Sequence, residues 1–245
     1  MRAFDPNNSF GPDVAAHYDR DQSRGDEQAA AEFLAACAAN GRALEFAIGT
    51  GRIALPLAAL DVAVDGIELS PAMVERLRAK AGGQALRVEL GDMTNVQMGG
   101  TYSLVYLVYN TIFNLLTVDD QVRCFENAAH HLDDGGVFVV ETALPHAWVR
   151  PGATDYVHTE FVELDAVGFD VARYDPVTQL LSENHVSITE QGVRFMPIVC
   201  RLVTPGEMDL MARIAGLRLV ERFGSWQRSP FAAASVAHVS VYARA

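Results

Sequence analysis

Short apolar runs alternate with amphipathic stretches over most of residues 40–142. This rhythm predicts a parallel sheet wrapped by helices, because the strands of such a sheet are buried on both faces and each crossover needs a helix. Capping chemistry marks helix starts at Ser70-Pro71, Thr117-Val-Asp-Asp120 and Thr204-Pro-Gly-Glu207. Strands are predicted at 42–46, 62–68, 86–89, 103–108 and 136–141, with two more at 217–223 and 238–244.

The helical rhythm disappears in residues 144–203. Polar and apolar positions alternate there at 156–161 and 180–188, which predicts antiparallel strands. We therefore expect residues 1–143 and 204–245 to form one α/β domain, interrupted by a β-rich insertion at 144–203.

Charge and composition remove several classes of function. The 245 residues carry a formal net charge of −12, which argues against a nucleic-acid partner because phosphate binding needs clustered Lys and Arg. No apolar run reaches the roughly 18 residues of a membrane span, and the first residues lack the apolar core of a signal peptide. We expect no membrane contact and a cytoplasmic location. Lys80, the sole lysine, stands outside any G-K-[ST] sequence, which excludes a phosphate loop.

A glycine-rich segment at 45–51, with the sequence EFAIGTG, joins the first strand to a helix that begins near Arg52. Glycines let the backbone approach a ligand closely, and a helix N-terminus offers free N–H groups. The second strand ends at Glu68, where a carboxylate can accept both hydroxyls of a ribose. A nicotinamide dehydrogenase has both features as well, so they leave the cofactor class open.

The end of the third strand, Gly91-Asp92-Met93, favours one cofactor class. An Asp here can accept the exocyclic amine of adenine, with Met93 lying along the ring. The carboxyl ends of adjacent strands meet at the edge where open α/β sheets bind ligands. The Tyr-x-x-x-Lys pair of a dehydrogenase is missing from the sequence, since Tyr106 is followed four positions later by Asn110.

In this order, these residues resemble the class I S-adenosylmethionine-dependent methyltransferases of small molecules. The resemblance implies a Rossmann-like fold with a seven-stranded, mostly parallel sheet, helices on both faces and a β-rich cap insertion. It implies S-adenosyl-L-methionine as the cofactor, with its aminoacyl end on the glycine loop, its ribose on the second strand and its adenine on the third. The residues assigned to the cofactor are Tyr18, Glu45, Ala47, Gly49, Gly51, Glu68, Leu69, Asp92 and Met93.

Two of these positions depart from the common pattern, and one lies outside it. Ala47 replaces the first glycine of the family's loop, and Glu68 stands where many members have Asp. Tyr18 belongs to a polar arm at 1–25 that is expected to be irregular. In related small-molecule enzymes a tyrosine at this place closes over the cofactor.

By the same resemblance, the end of the fourth strand lies beside the transferred methyl group. Tyr109 and Asn110 are the candidates for orienting the acceptor, although a plain turn role for Asn110 stays open. His146, just past the fifth strand, is the favoured candidate base, and His158 and His185 in the insertion are further candidates. Each of these imidazoles can titrate near neutral pH.

The position of the insertion is similar to that in sugar N-methyltransferases of macrolide pathways. In those enzymes it covers the acceptor site or pairs two subunits, so both a cap and a homodimer contact stay open. The predicted function is transfer of a methyl group from S-adenosylmethionine to nitrogen or oxygen of a small molecule. The alternatives are an NAD-dependent oxidoreductase and a noncatalytic adenosylmethionine-binding module.

Overall fold

A computed structural model of the chain describes residues 9–21, 24–150 and 152–245. The strands in these ranges are β1 (Ala43–Phe46), β2 (Val64–Glu68), β3 (Arg87–Leu90), β4 (Tyr102–Leu107), β5 (Leu132–Ala143), β6 (Asp155–Val162), β7 (Ala166–Asp175), β8 (Leu180–Thr189), β9 (Gly192–Arg201), β10 (Leu217–Phe223) and β11 (Ala237–Arg244). The α-helices are α1 (Pro12–Ala15), α2 (Tyr18–Asp21), α3 (Glu27–Ala38), α4 (Ala54–Ala58), α5 (Pro71–Arg78), α6 (Val118–His131), α7 (Pro145–Trp148) and α8 (Pro205–Ile214).

The larger sheet contains seven strands in the order β10-β11-β5-β4-β1-β2-β3. The strands from β3 to β5 pair in parallel, whereas β11 is antiparallel to both of its neighbours. The prediction of a seven-stranded, mostly parallel sheet is confirmed. The chain runs outward from β1 to β3 and then returns to β4 on the other side of β1. That reversal opens a crevice at the carboxyl ends of β1 and β4, the usual place for a ligand in such a sheet.

Both faces of the central strands of this sheet are buried beneath helices. Side chains alternate along β5, so Phe138 packs with Phe125 of α6 while Val139 joins the opposite layer with Leu34 of α3 and Leu57 of α4. A strand covered on both sides needs apolar residues at nearly every position. This is why the strands read as short continuous apolar runs in the sequence.

The predicted helix starts are capped as their sequences indicate. Ser70 and Thr117 each accept the backbone N–H three residues later, at 3.3 and 3.0 Å. Thr204 and Glu207 form the reciprocal capping box at the start of α8. These caps depend only on local spacing, which explains why the sequence was sufficient to find them.

The structure corrects three predicted boundaries. β5 begins at Leu132 rather than at 136, because the residues directly after α6 already pair with β4. The helix after the glycine loop begins at Ala54 rather than near Arg52. The arm expected to be irregular contains α1 and α2 in its described part, with Pro12 in the first turn of α1; residues 1–8, 22 and 23 lie outside the described residues.

The insertion forms four strands, in a meander β6-β7-β8-β9 whose neighbours are all antiparallel. The alternating stretches at 156–161 and 180–188 lie in β6 and β8, whereas Gly168 and Pro197 interrupt the alternation of β7 and β9. Ala172, Leu181 and Cys200 at one end of the meander join the hydrophobic core beneath α6. The sheet is therefore fixed to the α/β body at that end.

Candidate functional site

Glu45, one of the predicted cofactor residues, lies in β1 just before the glycine loop. Glu45 is buried at the end of β1 and accepts a hydrogen bond from the Tyr106 hydroxyl at 2.9 Å. Burial raises the pKa of Glu45 to about 8, against the opposing effects of the Tyr106 hydrogen bond and the Arg52 charge. A carboxyl group with so little solvent keeps its proton near neutral pH, and a cation close to it would favour the charged form.

Every second residue of the glycine loop, from 47 to 51, has a left-handed backbone conformation. Ala47, Gly49 and Gly51 have φ values of 54°, 56° and 78°. A Cβ added to Gly49 would find only one atom within 4 Å, at 3.9 Å, so this side of the loop is open. A Cβ on Gly51 would lie 2.4 Å from a methyl group of Leu77, which would have to move, and the φ of 78° itself favours glycine.

Glu68 ties the end of β2 to the glycine loop. Its buried carboxylate accepts the N–H of Gly49 and the N–H of Ser70, both at 2.8 Å. Burial raises its pKa, while these backbone N–H groups pull it down. Leu69, next to it, is 43% exposed and lies at the same sheet edge.

Asp92 lies in the turn after β3, as predicted, and is partly exposed. Its Oδ1 accepts the Thr94 N–H at 2.8 Å, which orients the carboxyl group toward its own turn. Met93 beside it is buried. The Asp92 charge also acts on the thiol of Cys124, whose pKa is raised mainly by burial. α6 therefore forms one wall next to this turn.

The arm, residues 9–21, lies over the glycine loop. Burial raises the pKa of the Tyr18 phenol, with Tyr109, Glu68 and Glu45 acting in the same direction and Arg52 against them. Tyr18 is thus brought among side chains from three of the predicted strand ends. The sequence placed Tyr18 over the cofactor, and that contact stays a prediction.

Three residues fasten the arm, and we call them the latch: Asp19, Thr50 and Lys80. The Asp19 carboxylate accepts the Thr50 hydroxyl at 2.5 Å and the Lys80 ammonium at 2.7 Å. Lys80 also donates to the Thr50 carbonyl at 2.7 Å. The Ser70 hydroxyl donates to the carbonyl of Phe10 at 2.6 Å and gives the arm a second attachment.

Tyr109 and Asn110 form the turn after β4 and both have left-handed backbone, with φ values of 59° and 62°. The Tyr109 N–H donates to Glu141 at 2.6 Å, and Arg24 donates to the other Glu141 oxygen at 3.0 Å. Arg24 and Arg52 lie over the Tyr109 ring, 5.2 and 4.6 Å from its centre. Asn110 accepts the N–H of the last residue of β5 at 2.5 Å. Asn110 therefore uses its side chain to hold this turn, and its contact with an acceptor stays a prediction.

A cavity of about 1080 Å³ lies between the arm, the turn after β4 and the insertion sheet. Tyr18, Tyr109 and Asn110 line its inner end, and residues of β6 to β9 form its opposite wall. His146 borders the cavity from α7 and is exposed, and its catalytic role stays a prediction. His158 also borders it, with Nδ1 2.8 Å from Arg150.

Carboxylates from three strands gather on the insertion wall, and we call this set the acidic wall: Glu160, Asp170 and Glu183. His185 lies among them, with its Nδ1 2.6 Å from Asp170, 3.5 Å from Glu160 and its Nε2 3.9 Å from Glu183. Burial raises the pKa of Glu183 to about 7, with Asp170 and Glu160 adding to the effect of burial and His185 opposing it. The wall therefore concentrates negative charge in a partly buried place.

Two members of the acidic wall, together with His185, have the spacing of a cation site. Ligand atoms of Glu160, Asp170 and His185 lie within 4.8 Å of one another. However, the nearest imidazole nitrogen is already hydrogen-bonded to Asp170. We interpret the set as a hydrogen-bonded cluster rather than a metal centre.

Sequence reasoning missed Glu141 and all three members of the acidic wall. Glu141 could have been predicted, because it ends the predicted strand 136–141 next to β4. Polar residues at the ends of neighbouring parallel strands collect at the same sheet edge. Glu183 and His185 are two residues apart on one strand, so they share a face. The partners Glu160 and Asp170 come from strands whose register the sequence does not state.

Arg201 and Trp226 belong to the structural framework rather than to the site. Arg201 is buried and donates to Gln121 at 2.6 Å. Trp226 is buried against Phe33 with 5.5 Å between ring centres. Neither side chain is among those that line the cavity.

A family model described as a methyltransferase domain matches residues 43–136. The structure of the CcbJ methyltransferase from Streptomyces caelestis is 38% identical and has a TM-score of 0.91, covering 99% of this chain and 100% of that chain. That identity over the full length decides the family. The chain belongs to the S-adenosylmethionine-dependent methyltransferases.

Two further relatives have named substrates. An amino pentose methyltransferase of Micromonospora echinaspora, solved with S-adenosylmethionine bound, is 25% identical with a TM-score of 0.68, covering 94% of this chain and 95% of that one. A dTDP-4-amino-2,3,4,6-tetradeoxy-D-glucose N,N-dimethyltransferase of Saccharopolyspora spinosa is 33% identical over 40% of this chain and 39% of its own length.

These findings confirm the predicted family, enzyme class, fold and cofactor of this methyltransferase. They decide against the NAD-dependent oxidoreductase and against the noncatalytic module. Among the described residues, no helix is long and apolar enough to cross a membrane.

Proposed function

We propose that this methyltransferase transfers the methyl group of S-adenosylmethionine to an amine nitrogen of a small molecule held in the cavity. The acidic wall is the observation that carries this proposal. Three carboxylates in a partly desolvated wall favour a cationic ligand, since a positive charge between them relieves their mutual repulsion. A protonated amine supplies that charge, whereas an alcohol or phenol does not. The two relatives with named substrates act on amino sugars, which supports the same chemistry.

The predicted cofactor residues fit S-adenosylmethionine. The open side of Gly49 leaves room for a ligand against the loop, and an ammonium group there would favour the charged form of the buried Glu45 below the loop. Glu68 offers two carboxylate oxygens for a ribose, and Asp92 offers an acceptor for adenine. When bound, S-adenosylmethionine supplies an electrophilic methyl group on a sulfonium sulfur.

The protein's contribution to such a transfer is mainly orientation, because nucleophile, carbon and leaving group must lie in line. The left-handed turn at Tyr109 and Asn110 is held rigidly by Glu141 and by the end of β5. We assign these two residues to the wall against which the acceptor is aligned. The arm, with Tyr18 facing the same place, excludes water from it.

The direct test is turnover with a panel of acceptors, detected as S-adenosylhomocysteine release. The panel pairs each amine with a matched alcohol: glucosamine with glucose, benzylamine with benzyl alcohol, and piperidine with cyclohexanol. We expect methylation of amines only. Turnover of the alcohols without turnover of any amine contradicts the proposal.

A substitution in the acidic wall tests the recognition step separately. Glu183→Gln is expected to raise KM for an amine about tenfold, the effect of losing one contact to a charged group. Glu190→Gln changes an exposed glutamate in the turn beyond β8 and serves as the matched control. An equal KM in both variants would show that the wall does not bind the amine.

A further inference from the structure

The imidazole of His185 is held in one orientation on the acidic wall. Its Nδ1 lies 2.6 Å from Asp170 Oδ1, and its Nε2 faces Glu183 across 3.9 Å. A carboxylate accepts the proton on Nδ1, which leaves the lone pair of the neutral ring on Nε2. The His185 side chain is 27% exposed and borders the cavity, so this lone pair is accessible from the acceptor side.

The end of β8 nearest the α/β body links the acidic wall to the turn after β4. Glu183 acts electrostatically on Cys200, whose thiol lies 3.8 Å from the Asn114 side chain. Asn114 ends the short 3-10 helix Thr111–Asn114 that directly follows Tyr109 and Asn110. Cys200 pairs with Leu181, so Glu183 and then His185 follow along β8 with increasing distance from the turn after β4.

We propose that His185, oriented by Asp170, accepts the proton that the acceptor amine loses before it is methylated. This inference rests on the proposed amine methylation. It assigns to His185 a direct contact with the acceptor, and to Asp170 a positioning role. Glu183 attracts the ammonium ion, and the adjacent Nε2 removes its proton.

The step balances as a proton transfer followed by a substitution. An ammonium R–NH₃⁺ gives one proton to His185 Nε2 and becomes a free amine, while the ring becomes imidazolium. The nitrogen lone pair then forms the N–C bond as the methyl C–S bond breaks, with its electron pair kept by sulfur. The product leaves as a methylammonium ion, and the imidazolium returns its proton to solvent.

The surroundings of His185 determine the sign of its pH dependence. The groups that face it are Asp170 from β7, Glu160 from β6 and Glu183 from its own strand, while Arg194 from β9 borders the same cavity. Burial lowers the pKa of His185, but the Asp170 hydrogen bond and the three carboxylates outweigh burial, so the pKa is raised from its ordinary value. Activity should therefore fall as the pH drops through a value above that of a free imidazole.

The test replaces His185 by glutamine and measures kcat/KM against pH with the panel amine that is turned over fastest. At pH 7 the His185→Gln variant should be about 100-fold slower, the usual contribution of a general base. The deficit should shrink to a few-fold as the pH approaches the pKa of the amine, where the base is no longer needed. Asp170→Asn should move the acidic limb of the profile to lower pH.

His130→Gln is the matched control, because His130 is an exposed histidine on α6 outside the cavity. Its pH profile should equal that of the wild type. The dissociation constant for S-adenosylhomocysteine should be unchanged in all three variants, which separates loss of the base from loss of the fold. Activity in the presence of EDTA should also be unchanged.

The outcomes distinguish this inference from the proposed function. If His185→Gln methylates the amine with a deficit that is equal at every pH, His185 is not the base, while amine methylation stands. If only alcohols are methylated, the proposed function fails and this inference fails with it.

Discussion

Ala47 has the backbone conformation of the glycine that it replaces. Its φ of 54° lies in the left-handed region, where a Cβ contacts the following carbonyl oxygen and costs about 1–2 kcal/mol. Tyr109 and Asn110 have the same type of backbone at the facing strand end. Strained residues concentrate where ligands bind, because the surrounding contacts hold them there.

Replacing Ala47 by glycine should therefore leave stability unchanged or raise it by up to about 1 kcal/mol, since relief of strain exceeds the added flexibility of the unfolded chain. The matched control is Ala36→Gly at an exposed position of α3, where the substitution should cost about 0.5–1 kcal/mol. Urea unfolding of both variants measures the difference. Equal losses in the two variants would contradict strain at Ala47.

At the scale of elements, the arm and the glycine loop act as two pieces joined by the latch. Asp19 contacts Thr50 on the loop and Lys80 just after α5, so cofactor-binding backbone and covering segment share the same side chains. The side chains of Asp19 and Lys80 are partly exposed, at 46% and 30%. An ion pair of this kind contributes little to global stability.

Breaking the latch with Lys80→Met should consequently speed the release of S-adenosylhomocysteine rather than unfold the protein. The loss of about 1 kcal/mol from an exposed pair corresponds to roughly five-fold faster dissociation, measured by stopped-flow displacement. Arg123→Met breaks an exposed pair with Asp120 on α6 and provides the control. Unchanged release from Lys80→Met would mean that the arm does not retain the cofactor.

At the scale of the whole molecule, buried carboxyl groups make stability depend on pH. Burial raises the pKa of Glu45 to about 8 and that of Glu183 to about 7, so the folded protein retains protons that the unfolded chain has lost. Stability contributed in this way is present at low pH and falls as the pH rises from about 4.5 toward these values. His238 acts on the acidic side, because burial lowers its pKa to about 4 and the folded state then resists protonation.

Glu45→Gln should reduce the loss of folding stability that accompanies a rise in pH. For each pH unit between about 5 and 8 the wild type should lose about 1.4 kcal/mol through Glu45 alone, a change of a few degrees in Tm. In Glu45→Gln the free energy of unfolding should lack this dependence on pH. Glu126→Gln, at an exposed position of α6, should retain it. Thermal unfolding of the three proteins across this range is the measurement. Parallel curves for Glu45→Gln and wild type would contradict a buried, protonated Glu45.

The elements could be predicted where their causes are local. Helix caps at Ser70, Thr117 and Thr204 depend on spacings of three residues, and the strands of the large sheet depend on runs of apolar side chains. In the meander the alternating pattern is clear at 156–161 and 180–188 and weak elsewhere, because its strands are half exposed and interrupted. The predicted cofactor residues lie at neighbouring strand ends because parallel topology alone brings those ends together.

The sequence by itself determined the sheet, its order of parts and the family, because periodicity, caps and strand-end residues act within a few positions of the chain. Only the tertiary structure decided which distant charges meet. Tyr109 and Glu141 are 32 positions apart, and Asp170 and His185 are 15 positions apart on paired strands. Such contacts depend on strand register, and a shift of one residue turns every side chain to the opposite face. The acidic wall therefore follows from the pairing of β6, β7 and β8 rather than from any local motif.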